Sequence, residues 1–206
     1  MPNSSSASFV SAAGFQELLT QLRACRHCRG LLPHEPNPVA HLGADARVLM
    51  IGQAPGPTEH KLTRPWTGPS GKRLRKWLDM SEEEFYNLSN ISHMPMGFCY
   101  PGKGKSGDIP PPPICSQTWH QPLLAHMPKA KLVLLIGQYA QQQYLGSLRK
   151  ASLTETVCHF EEYLPRYLVM PHPSPLNLSW FKRNPWFEEE VLPVYRSLLQ
   201  NALAER

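Results

Sequence analysis

Residues 131–137, Lys131-Leu132-Val133-Leu134-Leu135-Ile136-Gly137, form an unbroken aliphatic run closed by a glycine. A strand with one face in water alternates apolar and polar residues. A strand that is apolar at every position is covered on both faces, as in a parallel sheet between layers of helix. Two further segments read the same way: Arg47-Val48-Leu49-Met50-Ile51-Gly52 and residues 166–170, which include Tyr167-Leu168-Val169-Met170. Helical patterns separate them. In residues 12–24, Phe15, Leu18, Leu19 and Leu22 fall at i, i+3, i+4 and i+7. Ser70 is placed to cap a helix carrying Leu74, Trp77 and Leu78, and Ser81 with Glu84 forms a capping box for a short one. Residues 117–126, a segment from Gln138, and residues 186–204 read as further helices. Residues 90–98 read as a strand that Pro95 confines to an edge or a bulge, and residues 103–113 as a Gly/Lys- then Pro-rich loop. Strands and helices in alternation predict an α/β fold, a three-layer α/β/α arrangement around a mostly parallel sheet. Ligand-binding loops then belong at the strand C-termini.

The chain has 206 residues, enough for one domain with a substantial core, and it is read as a single domain over 1–206. Residues 1–11 read as a disordered, Ser-rich lead-in without a signal-peptide pattern. No apolar run reaches the length of a membrane span. The net charge of +5 is compatible with a polyanionic partner such as nucleic acid. Five cysteines without a secretion signal point to a reducing compartment, and so to metal rather than disulfides.

Two loops at predicted strand ends stand out. The first is Gly52-Gln53-Ala54-Pro55-Gly56, followed by Arg64-Pro65-Trp66-Thr67-Gly68-Pro69-Ser70-Gly71. Its glycines would let backbone approach a ligand and its prolines would hold one shape. It is neither a Walker loop nor a dinucleotide fingerprint. The second is His172-Pro173-Ser174-Pro175-Leu176-Asn177. It is too stiff for a generic connector, suited to a phosphate contact at Ser174, and built to push Leu176 outward towards a base stack. Cys25-Arg26-His27-Cys28 is a C-x-x-C pair, and Cys99 and Cys115 bracket the Pro-rich loop. Four thiolates can hold a [4Fe–4S] cluster or a structural zinc. Cys158 reads as a small buried hydrophobe.

The two loops, in this order and about 120 residues apart, resemble the two signature motifs of the uracil-DNA glycosylase superfamily. The resemblance runs from Cys25 to about Leu199. The four cysteines resemble the pattern of the superfamily's iron–sulfur branch, family four and its relatives. That likeness implies a four-stranded sheet, a [4Fe–4S] cluster on Cys25, Cys28, Cys99 and Cys115, and, as partner, DNA containing uracil or another damaged base. It implies a monomer in the cytoplasm, nucleoid-associated if bacterial, with no membrane contact. His172 would be the donor to the departing base, helped by Gly52 and Gln53, with Ala54, Pro55 and Gly56 shaping the pocket. Trp66 would stack on the flipped ring, and Ser174 and Asn177 would complete the substrate contacts. Pro175 and Leu176 would fill the vacated stack, and Lys103, Lys105, Lys182 and Arg183 would meet phosphates.

The chain departs from the family pattern at two positions. Ala54 stands where several branches carry an Asp or Asn that positions water. Pro95 stands four residues before the third cysteine, where the iron–sulfur branch has an Asn that reads the base edge. Asn90 could replace that Asn only across an insertion, and Gln53, His93 and Asn177 are the candidates for positioning water. The leading expectation is a monofunctional glycosylase for uracil or a related deaminated base. The competing ones are a catalytically weak or inactive DNA-damage binder on the same fold, and a zinc-stapled nucleic-acid-binding module.

Overall fold

The computed structural model describes residues 12–105 and 107–204, so the expectation for the N-terminal lead-in lies outside the described residues. In chain order the first half comprises α1 (Ala12–Arg23), β1 (Val48–Ile51), α2 (Pro57–Leu62), α3 (Pro69–Leu78), α4 (Glu82–Phe85) and β2 (Ile91–His93). Then come β3 (Lys103–Gly104), β4 (Gly107–Asp108), α5 (Pro113–Ala125), β5 (Leu132–Ile136) and α6 (Gln138–Leu145). The chain closes with α7 (Leu153–Cys158), β6 (Tyr167–Met170), α8 (Leu178–Arg183) and α9 (Leu192–Ala204).

The main sheet has four strands in the order β2-β1-β5-β6, and every pairing is parallel. The three aliphatic runs are its β1, β5 and β6. Every residue of β1 and β5 is buried, which requires cover on both faces; helices flank the sheet and supply it. Phe15, Leu19 and Leu22 of α1 are buried, while Leu18 is only partly so. The chain winds from β1 outward to β2, then crosses to β5 and β6 on the other side. Strand order therefore reverses at β1, and the crevice of an open α/β sheet forms at such a reversal, beyond the strand C-termini.

Several elements differ from their sequence reading. The edge strand β2 ends at His93, yet Met94, Met96 and Gly97 continue to donate backbone N–H bonds to Met50, Gly52 and Gln53. Pro95 falls between two donors, where its missing N–H is not needed. The α3 helix starts at Pro69 with Gly68 as its N-cap, and Ser70 caps nothing, because proline already supplies the first-turn φ. The capping box of Ser81 and Glu84 forms as read. The 103–113 loop contains the antiparallel pair β3–β4, and α5 begins at Pro113, earlier than its apolar pattern, for the same reason that α3 does. The closing helix opens with a π turn over Phe187–Val191 before α9. Pro193 cannot donate to the preceding turn, which favours this wider path. Cys158 is exposed, not buried. It ends α7, whose Thr156 and Val157 face inward.

Candidate active site

All four strands of the main sheet deliver their C-terminal ends to one cleft of about 620 Å³. Gly52 to Gly56 enter after β1, His93 and Pro95 at the end of β2, Gly137 and Gln138 after β5, and His172, Ser174, Leu176 and Asn177 after β6. Trp66, Glu59 and Asp108 complete the walls. The volume falls in the range of small-molecule binding sites.

Trp66 is held in a costly conformation. Its φ is 58°, in the left-handed region that a bulky residue rarely occupies. The neighbours enforce it: Arg75 Nη1 donates to the Trp66 carbonyl at 3.3 Å, and Tyr86 Oη donates to that of Pro65 at 2.7 Å. Two glycines explain themselves here. A Cβ on Gly71 would lie 1.7 Å from the Trp66 carbonyl oxygen, and a Cβ on Gly52 would lie 2.7 Å from indole Cζ2. Gly52 thus makes room for an aromatic ring. Strain of about 1–3 kcal/mol persists only where the surroundings over-determine it, and such residues cluster at functional sites.

His172 lies beside that indole, with ring centroids 5.7 Å apart and planes 31° apart. Its loop is pinned from three directions. Arg73 Nη1 donates to the Pro173 carbonyl at 3.0 Å, Asn177 Nδ2 donates to the His172 carbonyl at 2.8 Å, and Ser174 Oγ accepts from the Leu176 amide at 3.2 Å. Asn177 and Ser174 therefore shape the loop as well as lining the cleft. Among the described residues nothing hydrogen-bonds the imidazole nitrogens of His172. Withdrawal from water lowers its pKa to about 4, against a weaker opposing pull from Glu59. The ring is neutral at pH 7, with one N–H to donate.

Glu59 is a cleft residue that the sequence reading missed. One of its oxygens, Oε1, accepts from Thr67 Oγ1 at 3.1 Å and from the Gly68 amide at 2.8 Å, tying α2 to the Trp66 loop. The available signal was a carboxylate in the first turn of a helix that opens directly off the Gly52–Gly56 loop. Asp108 was also missed, and burial raises its pKa.

Across the cleft mouth, Leu176 is 73 % exposed and would approach a Cβ on Gly107 of β4 at 3.5 Å. The hairpin and the His172 loop thus form opposite lips. Lys103, Lys105, Lys182 and Arg183 are exposed. Among the described residues no ion pair engages them. None of the four lines the cleft itself, and Lys103 lines a separate groove with Leu31, Pro33, Tyr100 and Ile109.

Cys25, Cys28, Cys99 and Cys115 come together around an apolar pocket with Leu22, Phe98 and Trp119, although long stretches of chain separate the pairs. Burial, then repulsion from Cys115, pushes the Cys99 thiol up to about 12. Burial raises Cys115 to about 11, with Cys28 and Cys25 adding to the rise, while the Phe98 amide donates to its sulfur at 3.2 Å. Burial disfavours the thiolate form of Cys28, Cys99 and Cys115, and a bound cation would reverse that balance. Among the described residues no three His, Cys, Asp or Glu side chains are gathered so as to hold a metal ion as they stand. The donor set, four sulfurs with apolar walls and an N–H aimed at one of them, fits a thiolate-bound group.

This geometry defines a class: doubly wound α/β proteins whose ligand cleft lies at the carboxyl ends of a parallel sheet. Within it, the sequence model of the uracil DNA glycosylase superfamily matches residues 40–196, from just before β1 into α9. The chain belongs to that superfamily, and membership supports a function of the DNA-glycosylase type. Among the described residues no helix is long and apolar enough to cross a membrane.

Proposed function

We propose that this chain is a monofunctional DNA glycosylase that hydrolyses the N-glycosidic bond of uracil or a related deaminated base in DNA. The observation that carries the proposal is His172, a neutral imidazole whose ring nitrogens have no hydrogen-bond partner among the described residues, beside the strained Trp66 on the wall of the cleft.

A target base reaches such a cleft only when flipped out of the stack. Trp66 would hold the flipped ring by stacking, and the exposed Leu176 would enter the gap left behind. The bond from C1′ to the base then breaks with both electrons leaving on the base, and positive charge develops on the sugar. His172 donates a hydrogen bond to a carbonyl of the departing anion, acting as a donor already in place. Water adds to C1′, and its proton ends on the released base. Glu59 and Gln53 offer oxygens in the cleft to orient that water, in a chain that has Ala54 where other branches carry a carboxylate or amide. Ser174, with the exposed Lys103, Lys105, Lys182 and Arg183, would contact phosphates, so affinity should weaken with salt.

The four cysteines are proposed to hold a [4Fe–4S] cluster, as in the branch of the superfamily they resemble. When bound it would act as a structural staple between the segment after α1 and the chain on either side of the β3–β4 hairpin.

The test is release of uracil, hypoxanthine and xanthine from single- and double-stranded oligonucleotides. His172→Ala should slow release by about a hundred- to a thousand-fold and leave DNA affinity nearly unchanged, since phosphate contacts dominate binding. Equal rates for a folded His172→Ala variant would overturn the assignment. Tight binding of damaged DNA without any release by the wild type would favour a damage binder, a reading that Ala54 and Pro95 support.

A further inference from the structure

The α3 helix is bonded to both walls of the cleft, through residues only two positions apart. Leu74 is fully buried and anchors the helix to the core. Arg73 and Arg75 flank it, and at about 100° per residue their side chains leave the helix on opposite sides of that anchor. Arg73 Nη1 donates to the carbonyl of Pro173, the residue after His172, at 3.0 Å. Arg75 Nη1 donates to the Trp66 carbonyl at 3.3 Å. One helix thus grips the backbone beside the imidazole and the backbone that carries the indole.

Each guanidinium is also seated on rings that belong to the wall it holds. Arg73 Cζ lies 5.1 Å from the centroid of Phe181, on α8 just after the His172 loop. Trp77, one turn further along α3, meets the same ring edge-on at 5.1 Å. Arg75 Cζ lies 5.4 Å from the centroid of Phe85 and 5.9 Å from that of Tyr86, whose hydroxyl donates to the Pro65 carbonyl. Cations at such distances are attracted to the ring face. Both arginines are half-buried, and among the described residues neither meets a carboxylate. Drawing a cation out of water without an anion is unfavourable, and a methionine would fill the space without that cost. What the arginines add is a fixed place for two carbonyls: a guanidinium is planar and always charged, so neither grip relaxes with pH.

We infer that Arg73 and Arg75 are positioning residues that set the spacing between His172 and Trp66. The inference rests on the glycosylase reading and deepens it. The two rings stand 5.7 Å apart, and among the described residues no hydrogen bond joins them. Trp66 reaches the cleft on the loop after α2 and His172 on the loop after β6, so the register of the sheet does not fix their separation. Stacking on Trp66 decides where a flipped base lies, and His172 must meet a carbonyl of that same base. Capture and donation therefore coincide only at one spacing. Misplacement by about 1 Å from a residue far from the chemistry can cost about a hundred-fold in rate. The helix α3 acts as a spacer, with one arm on each wall.

The test replaces each arginine by Met and by Lys. It reads single-turnover uracil release, oligonucleotide affinity, urea melting and the His172 Cε1–H signal in a proton–carbon spectrum, assigned by its loss in His172→Ala. Arg73→Met and Arg75→Met should each slow release by about a hundred-fold at nearly unchanged affinity. Both should also shift the His172 signal, whose position depends on the neighbouring indole. The Lys variants keep one donor for the one carbonyl, so they should recover most of the rate, and they carry the test if a Met variant does not fold. Because Arg73 acts through His172, adding Arg73→Met to His172→Ala should slow release little further. A full additional loss there would mark a general structural role and overturn the inference. An unmoved His172 signal in folded Met variants would also overturn it and leave the glycosylase reading standing. A wild type that releases no base would overturn the glycosylase reading, and the His172 signal would then decide the spacing by itself.

Discussion

Gly52→Ala tests whether the Trp66 wall of the cleft is positioned as described. The added Cβ would sit 2.7 Å from indole Cζ2 and 3.0 Å from Cη2, whereas carbon atoms in contact prefer about 3.5–4.0 Å. The ring must therefore move by roughly 1 Å. Its backbone cannot yield, since the Trp66 carbonyl already fills the space a Gly71 side chain would need and is held by Arg75. The indole must swing instead, altering its relation to His172 and to any stacked base. Overpacking of this kind costs about 1–3 kcal/mol of stability. Impaired stacking, worth about 1–3 kcal/mol per base, corresponds to a fall of about 5- to 150-fold in kcat/KM for uracil release. Urea melts and single-turnover release on a single-stranded oligonucleotide read the two effects separately. Adding Trp66→Phe, whose ring lacks the clashing atoms, should recover stability without recovering release, a non-additive result expected of touching residues. Gly146→Ala is the control: a Cβ there meets nothing within 4 Å, though φ is 53°, so stability alone should fall. Wild-type stability and release in Gly52→Ala would refute the reasoning.

Two other predictions follow from buried groups. Burial lowers His93 to about 3 and His120 to about 4, against 6.5 in the unfolded chain. Their contribution is intact above pH 6.5 and is lost as pH falls, because the unfolded state takes up protons first. The protein should be about 3 kcal/mol less stable at pH 5.5 than at pH 7.5 from these two alone, and equal urea midpoints at the two values would contradict this. Replacing any one of Cys25, Cys28, Cys99 or Cys115 by Ala should remove iron, sulfide and visible absorption and lower stability, whereas Cys158→Ala, at an exposed site, should change neither. Zinc in place of iron in protein made anaerobically with ample iron would refute the cluster and favour a zinc staple.

The aliphatic runs 47–52, 131–137 and 166–170 revealed the sheet because burial on both faces leaves a local imprint, an absence of polar residues that needs no knowledge of the partner strand. The His172 loop and the Gly52–Gly56 loop were legible for a similar reason: both abut those runs, so their place at strand ends followed from their neighbours. Short elements set by proline and by distant contacts left weaker traces. The early start of α5 and the β3–β4 hairpin lay hidden in a Pro- and Gly-rich segment, and the end of β2 depended on pairing with β1.

Only the tertiary structure brought His172 beside Trp66 and gave Gly52 and Gly71 their reason, since both make room for a residue that is not their immediate neighbour. It also turned Glu59 into the cleft and showed that Cys158 faces outward. For His93 the residue type was visible in the sequence, but its hydrogen bond to Phe85 was not. Sequence patterns record what each segment must bury. Which nitrogen of a buried ring keeps its lone pair is decided by whatever packs behind it, and that is a property of the assembled fold.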